Sequence, residues 1–411
     1  MTVDLLHESS AVEASAAAAG GRIALTIRHV VIDDGGPHPS AANGIHHVVR
    51  RIAREQIAAR DDAGIIFLRQ PGKGDVAEPL DVPTLVLPLD GRKLGRHVVG
   101  LSSLTLAALT AGAGPDTIFH IHTARQPLLL ALARELARRG FAFGITVHGR
   151  YSHVIDGNGR ITNWKSALYL RLVERRAIER ARFVQAVSTG EAEIVRRLAP
   201  GARISVVPNA AYSSTLDGVP ALPRRTTSFA AFPTFGYCGR YEIVHKGLDL
   251  LIEGFAAFHH ATGRGKLVFI GTGPKRDIIA RMATALGVAG AVEIHGPCFG
   301  AAKQRMMEGW DFFVQPSRFD GVPIGALEAA LAGLPLIVSM ETGLAGQITS
   351  TGAGIVIGNL TAKAVAAALV EASAIPPDAW SAMATNAHSM AIEIGDWTPI
   401  AESLRRLYQP A

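Results

Sequence analysis

Residues 309–339 read GWDFFVQPSRFDGVPIGALEAALAGLPLIVS. An apolar run at 311–314 enters a polar loop from Gln315 to Asp320, and Gly321 and Pro323 then introduce a helix that carries Glu328. After Gly333 and Pro335 a second apolar run at 336–339 completes a strand, loop, helix, strand unit. In open α/β sheets ligands bind beyond the carboxyl ends of the strands, which is where this loop falls. Asp320 and Glu328 can face one crevice and accept hydrogen bonds from vicinal hydroxyls. The free amides at the helix start suit an anionic oxygen. Hydroxyls beside a phosphate describe a nucleotide-sugar, and Glu328 among Leu327, Ala329, Ala330 and Leu331 is otherwise an odd charge in an apolar helix.

The same alternation extends in both directions. Apolar strands are expected at 22–30, 65–68, 84–87, 117–121, 143–147, 183–187 and 204–207, separated by helical periodicity from Gly44 onward and at 102–111, 126–139, 164–180 and 188–198. No hairpin signal interrupts the series, so parallel βαβ units follow. Ser188 with Glu191 forms a capping box. Residues 211–230 break the periodicity, and a second α/β series opens at Phe235. The expected division is a flexible leader at 1–20, a Rossmann-like domain at 21–210, a linker at 211–230, a nucleotide-sugar-binding Rossmann-like domain at 231–395 and a last helix within 396–411.

Composition narrows the class. The chain has 411 residues, 48% hydrophobic and 18% charged, which fits two folded cores and excludes disorder. Cys238 and Cys298 form neither a disulfide framework nor a metal-ligand pattern, so both are expected as buried thiols in a reducing compartment. No apolar run is long enough to span a membrane, and the amino terminus lacks the pattern of an export signal. A net charge of +6 suits a phosphate-bearing substrate or an anionic membrane surface, and the amphipathic stretch 164–180, with Leu168, Leu172, Val173 and Ile178 on its apolar side, could meet such a surface. Dispersed arginines with no zinc module or basic aromatic groove argue against nucleic acid.

Strand ends supply the remaining candidates. His148 follows a strand directly and can bond a sugar hydroxyl or phosphate; His120 and His122 end another strand and could line the acceptor side. Arg240 and Lys246 are suited to clamping a diphosphate, and Gly239 leaves room for it. No carboxylate or cysteine completes a convincing ligand set with the histidines, so no metal is expected.

Taken together, Pro316, Ser317, Gly321, Glu328, Gly333 and Pro335 resemble the signature of glycosyltransferase family 4, the group 1 glycosyl transferases of GT-B architecture. Asp320 stands where that family usually has Glu, and Val322-Pro323 replaces Phe-Gly. The segment 146–149 resembles the family's Thr-x-His-Gly, and 239–249 its Gly-Arg, loop, Lys-Gly-Leu-Asp. The resemblance implies two Rossmann-like domains facing a cleft, the first (21–210) on the acceptor side with the 396–411 helix packing back on it, and a retaining transfer of a hexose from a UDP- or GDP-sugar to a saccharide or lipid-linked acceptor, with no obligatory cofactor. It implies Gly44 near the donor phosphate and acceptor, Gly271, Thr272 and Gly273 near the nucleotide, Arg240 and Lys246 at the diphosphate, and Glu328 at the ribose. Asp320, Gly321 and Val322 would meet the donor sugar, with His148 opposite. A cytoplasmic enzyme of surface polysaccharide synthesis, peripheral at the inner membrane, is the expected setting. Two other readings stay open at this point: a non-catalytic nucleotide-sugar-binding protein, and a nucleotide-sugar or glycosyl-phosphate processing enzyme of the same fold.

Overall fold

The computed structural model describes residues 24–33, 44–70, 81–95, 97–149, 151, 164–222 and 232–409. The leader, the polar loop 152–163 and residues 223–230 of the expected linker lie outside these residues. Fifteen strands follow in chain order: β1 (Thr26–Asp33), β2 (Asp62–Arg69), β3 (Thr84–Pro88), β4 (Gly91–Leu94), β5 (His97–Leu101), β6 (Thr117–His122), β7 (Ala142–Thr146), β8 (Phe183–Ala186) and β9 (Ile204–Val206), then β10 (Thr234–Arg240), β11 (Lys266–Thr272), β12 (Val292–His295), β13 (Phe312–Gln315), β14 (Leu336–Ser339) and β15 (Gly354–Ile357).

They form two parallel sheets, β3-β2-β1-β6-β7-β8-β9 and β12-β11-β10-β13-β14-β15. In each, the strand order reverses beside the first strand of the sheet, and the crevice at such a reversal is where open α/β sheets bind ligands. Helices cover both faces of each sheet, and the inner strands are buried on both sides as this arrangement demands: β6, β8, β13 and β14 are buried throughout. The fold is the GT-B architecture, two Rossmann-like domains facing a cleft.

One departure from the sequence reading is local. β4 and β5 pair antiparallel as a hairpin with a register shift between Arg92 and Lys93. The first strand is polar and exposed and the second, His97–Leu101, is short and half-buried, so the pair lacks the alternating apolar signal by which a hairpin is recognised.

Residues 211–215 are pinned to the carboxyl-terminal segment. The amides of Ala211 and Tyr212 donate to Gly395 O, and Ser214 Oγ donates to Asp396 Oδ2 at 2.5 Å. The helix Trp397–Tyr408 follows and buries Trp397, Ile400, Leu404 and Tyr408 against Ile27, Val48, Ile52, Ile118 and Phe183 of the first domain.

Candidate active site

The two domains enclose a cleft of about 1550 Å³, lined by the carboxyl ends of strands from both sheets. On the second-domain wall, β10 and β11 stay in register to their last residues, pairing Gly239 with Gly271 and Arg240 with Thr272. This close approach needs glycine, because a Cβ on Gly271 would lie 1.8 Å from Gly239 O. Tyr237 Oη donates to Arg240 O at 2.8 Å and fixes the strand end that presents the guanidinium.

Lys246 and Asp320 come from loops far apart in sequence. The lysine Nζ reaches Asp320 Oδ2 at 2.5 Å, and Gln315 Nε2 and Ser317 Oγ donate to the same oxygen at 2.5 and 3.2 Å. Burial pushes the Asp320 carboxyl up, but the Lys246 ammonium, through charge and hydrogen bond, outweighs it and holds the group below its ordinary range. Arg318 locks the two loops together, with a two-pronged bond to Asp249 at 2.8 and 2.7 Å and a third donation to Val244 O. Gly247 permits the crossing: its φ is +64°, and a Cβ there would lie 1.8 Å from Pro316 O.

Glu328, in the helix Ile324–Leu331, is paired with Lys303 at 2.5 Å. Lys303 carried no signal in the sequence, because it sits in a short helix without recognisable flanking residues. Gly321, Val322 and the start of the Glu328 helix line the same wall, as do Gly271, Thr272 and Gly273. Cys238 and Cys298, expected as buried thiols, also line it and are partly buried, packed against the second-domain core. Both fall at strand and turn ends on the cleft, and burial pushes the Cys238 thiol up to about 12.

From the first domain, His148 and Gly149 line the cleft. Both have left-handed backbones, with φ of +51° and +70°. Glu191 holds that turn. Its carboxylate accepts the Gly149 N–H and, at 2.7 Å, the Val187 N–H. The capping box is thus half realised: Ser188 Oγ accepts from Glu191 N, but the Glu191 carboxylate serves the site instead of returning to the cap. Burial pushes Glu191 up to about 7 despite its two backbone donors. Gly44 opens the helix Gly44–Ala58, and the next four residues, Ile45 to Val48, line the cleft.

His120 and His122 do not line the acceptor side. Both are buried, because β6 runs between β1 and β7 in the middle of the sheet. They stand behind His148 in a chain of hydrogen bonds. His122 Nδ1 lies 3.0 Å from His148 Nε2, His29 Nδ1 lies 2.9 Å from His122 Nε2, and His29 Nε2 lies 2.7 Å from Gln56 Oε1. Gln56 Nε2 donates to Tyr408 Oη at 3.1 Å.

That last bond fixes every proton. Gln56 must accept from His29 Nε2–H, so His29 Nδ1 accepts from His122 Nε2–H and His122 Nδ1 accepts from His148 Nε2–H. His148 therefore keeps its proton on Nε2, and in the neutral ring Nδ1 carries the lone pair. Desolvation keeps the interior rings neutral: His29 is lowered to about 4, and His120 and His122 fall well below the ordinary range. A branch runs from Tyr408 Oη to His120 Nδ1 at 2.8 Å and from His120 Nε2 to Thr146 Oγ1 at 2.6 Å. His29, His120 and His122 lie close enough to share a metal ion, but all six of their ring nitrogens are engaged in these bonds.

The stretch 164–180 also differs from its sequence reading. Leu170, Glu174, Ala177 and Ile178 are buried, whereas Leu168 and Leu172 lie on the outer face with Trp164, exposed by 49%, 47% and 72%. The helix passes through a π turn, Leu170–Glu174, and its inward face is set by the buried Glu174. An apolar-side count cannot recognise a face built around a carboxylate. Among the described residues no helix is long and apolar enough to cross a membrane.

A cleft between two Rossmann-like domains, with cations and carboxylates at the strand ends of the second and a histidine turn on the first, is the site of a GT-B glycosyltransferase. Known families agree. Residues 43–210 match the "Glycosyl transferase 4-like domain" and residues 232–374 match "Glycosyl transferases group 1". The chain belongs to this family 4 group of glycosyltransferases and is an enzyme that transfers a sugar from a nucleotide-sugar donor.

It is 26% identical over 318 residues to a 2-deoxystreptamine N-acetyl-D-glucosaminyltransferase of Streptomyces fradiae, covering 72% of this chain and 74% of the relative. It is also 26% identical to a GDP-mannose:cellobiosyl-diphosphopolyprenol alpha-mannosyltransferase of Komagataeibacter xylinus, covering 64% of each. Among solved structures, a sucrose-phosphate synthase from Thermosynechococcus elongatus superposes with a TM-score of 0.69 at 19% identity, over 93% of this chain and 98% of the other. The Anabaena protein HepE, solved with UDP and glucose, matches with the same TM-score and coverage at 17% identity.

Proposed function

We propose that the chain moves a hexose from a UDP- or GDP-sugar to a hydroxyl of a saccharide or lipid-linked acceptor, with retention of configuration. The observation that carries this reading is the convergence of Arg240, Lys246, Asp320 and Glu328, from separate segments, on one cleft wall. Arg240 and Lys246 take the diphosphate, so the negative charge that grows on the leaving group meets fixed cations. Glu328 takes the ribose hydroxyls, exchanging its bond to Lys303 for them. The contacts of Asp320 to Lys246, Gln315 and Ser317 all fall on Oδ2, and Oδ1 takes a hydroxyl of the donor sugar.

In this reading His148 approaches from the first domain, and the Gly44 helix closes the acceptor side. The imidazole meets a substrate hydroxyl and orients it for transfer. The outward stripe of Trp164, Leu168 and Leu172, flanked by Lys165, Arg171 and Arg175, supports an acceptor presented at an anionic membrane surface, on the cytoplasmic side.

The test is a panel of UDP- and GDP-sugars with purified protein, following nucleoside diphosphate release with and without glycan or lipid-linked acceptors. Acceptor-stimulated release from one donor is expected. Turnover that needs no acceptor hydroxyl would favour a nucleotide-sugar processing enzyme, and the absence of binding by any nucleotide would dismantle the second-domain assignments.

A further inference from the structure

Two corners of the fold meet across the cleft. In the first domain β8 turns into the helix Thr189–Leu198 through Val187 and Ser188, with Gly190 in its first turn. In the second domain the loop after β13 brings Phe319, Asp320 and Gly321 to the same place. A Cβ on Gly321 would lie 3.3 Å from Val187 Cγ2 and 3.4 Å from Ser188 Cβ, and one on Gly190 would lie 3.5 Å from Phe319 Cε2. At Gly321 even a methyl group would press on the neighbouring domain.

Both corners are stiff. On the second-domain side the Gly343 N–H donates to Gly321 O at 2.8 Å, the Asp320 N–H donates to Glu341 O at 3.2 Å, and Lys246 holds the Asp320 side chain. On the first-domain side the stiffening group is the wholly buried Glu191. One of its oxygens accepts the N–H of Val187, at the contact itself, and the other accepts the N–H of Gly149, beside His148. Glu191 thus ties the end of β8, which meets the second domain, to the turn after its neighbour β7, which carries His148. The left-handed backbone of His148, with φ of +51°, is one that such a residue keeps only where its surroundings enforce it. The ring is tied separately, to His122.

We infer that Glu191 is a positioning residue of the transfer reaction, coupling His148 to the Asp320 loop so that the histidine takes its place against the donor sugar only when Phe319 and Gly321 seat on the 187–190 corner. The inference rests on the reading of His148 and Asp320 above and adds the residue that aligns the two walls. A carboxylate suits this task, because its two oxygens accept from two separate N–H groups at once. A glutamine offers one acceptor oxygen and turns an NH2 toward the second donor. The charge state belongs to the same device. Burial pushes the Glu191 carboxyl up to about 7 against the two N–H donors that lower it. The titratable groups around it are His148 and Tyr151 after β7, the latter bonded to Glu174, and, across the contact, Asp320 with Lys246. Below pH 7 a proton on Glu191 sets an O–H against one of the two N–H groups and loosens the tie; above it both bonds are charge-assisted, so turnover rises as pH passes through 7.

The experiment uses the full chain with the sugar nucleotide that the donor panel selects, and compares wild type with H148A, E191A, E191Q, F319A and E191A/F319A. Nucleoside diphosphate release gives kcat and KM across the pH range around neutrality, and titration with UDP and GDP gives donor-side affinity. E191A should lower kcat about tenfold or more, as a misplaced reacting group predicts, while nucleoside diphosphate affinity holds within about twofold. E191Q should recover part of the loss, and its kcat should not rise through pH 7 as that of wild type does. F319A should cost about fivefold in the wild-type chain but less than about twofold in E191A, the non-additivity of residues that act through one contact.

An E191A enzyme with wild-type kcat beside an impaired H148A overturns the inference alone. So do losses for E191A and F319A that simply multiply, which place the two residues in separate roles, and an E191Q pH profile identical to that of wild type. Full turnover in H148A strikes the reading of the histidine instead, and the inference falls with it. If E191A does not fold, E191Q takes its place in the cycle with F319A and decides.

Discussion

His122 Nδ1 lies 3.0 Å from His148 Nε2, so a buried imidazole that cannot reach substrate determines which nitrogen of the cleft histidine carries the proton. The instruction originates with Gln56 and Tyr408, two bonds further inside. Replacing Gln56 by Leu removes the acceptor that orders the chain and lets His29 and His122 take either tautomer. Turnover of Q56L should fall about tenfold, as a misoriented substrate hydroxyl predicts, while donor affinity stays near wild type. H148A should lose more, about 100-fold. Steady-state kcat with a separate donor-binding titration checks both, and a Q56L enzyme with unchanged kcat would show that the chain is structural only.

Lys246 and Arg240 sit on the same wall but differ in what their removal leaves behind. K246A strands a buried Asp320 carboxylate, which should cost about 3–5 kcal/mol of stability in urea unfolding as well as transferase activity. R240A removes an exposed side chain and should leave stability within about 0.5 kcal/mol while turnover falls about 100-fold. The double variant K246A/D320N should recover much of the lost stability without recovering activity. Unchanged turnover in both single variants would remove the two cations from the leaving-group site.

Gly247 joins a left-handed backbone to a crossing within touching distance of Pro316 O. G247A therefore forces the Lys246 loop away from the Asp320 loop. The expected result is a loss of about 2–4 kcal/mol, the range of backbone strain combined with a steric clash, and an abolished nucleotide-induced rise in Tm. A G247A protein that binds nucleoside diphosphate normally would mean that the two loops need not meet.

Glu174 predicts a pH dependence. Burial raises its carboxyl to about 7, from an ordinary 4.5. Across that interval the folded chain holds a proton that the unfolded chain has released, so this contribution to stability is complete below about pH 4.5 and is lost as pH rises through 7. At about 1.4 kcal/mol per unit the loss is about 3 kcal/mol. The buried histidines act in the opposite direction, since their lowered values favour the folded chain at higher pH and that contribution disappears on acidification. Comparing wild type with E174Q cancels them. The stability difference between the two should shift toward the variant as pH goes from 4.5 to 7, and a pH-independent difference would place Glu174 outside this balance.

The parallel sheets and the cleft wall around Asp320 and Glu328 were legible because their signals are local: apolar runs of strand length, glycine and proline at the turns, and charges at strand ends. Arg240, Lys246 and His148 fall on the cleft for the same reason. Lys303, Gln56, Tyr408 and Glu174 were not legible. Each acts through a partner remote in sequence, as Gln56 does with Tyr408, and a buried glutamate inside a helical repeat reads as surface until the Tyr151 hydroxyl that donates to it is in place. His120 and His122 were visible as residues and misplaced as a site, since strand periodicity tells which residues share a face but not how deep the strand lies.

The helix Trp397–Tyr408 fills a gap between Ile27, Val48, Ile118 and Phe183, and its last residue gives the histidine chain its anchor. During synthesis on the ribosome the first sheet therefore emerges long before the helix that covers it. Its apolar flank stays open, and the proton arrangement behind His148 stays undefined, while the whole second domain is made. The domain that begins first is completed last, so no nascent chain holds a finished first-domain wall of the cleft before the second-domain wall has been built.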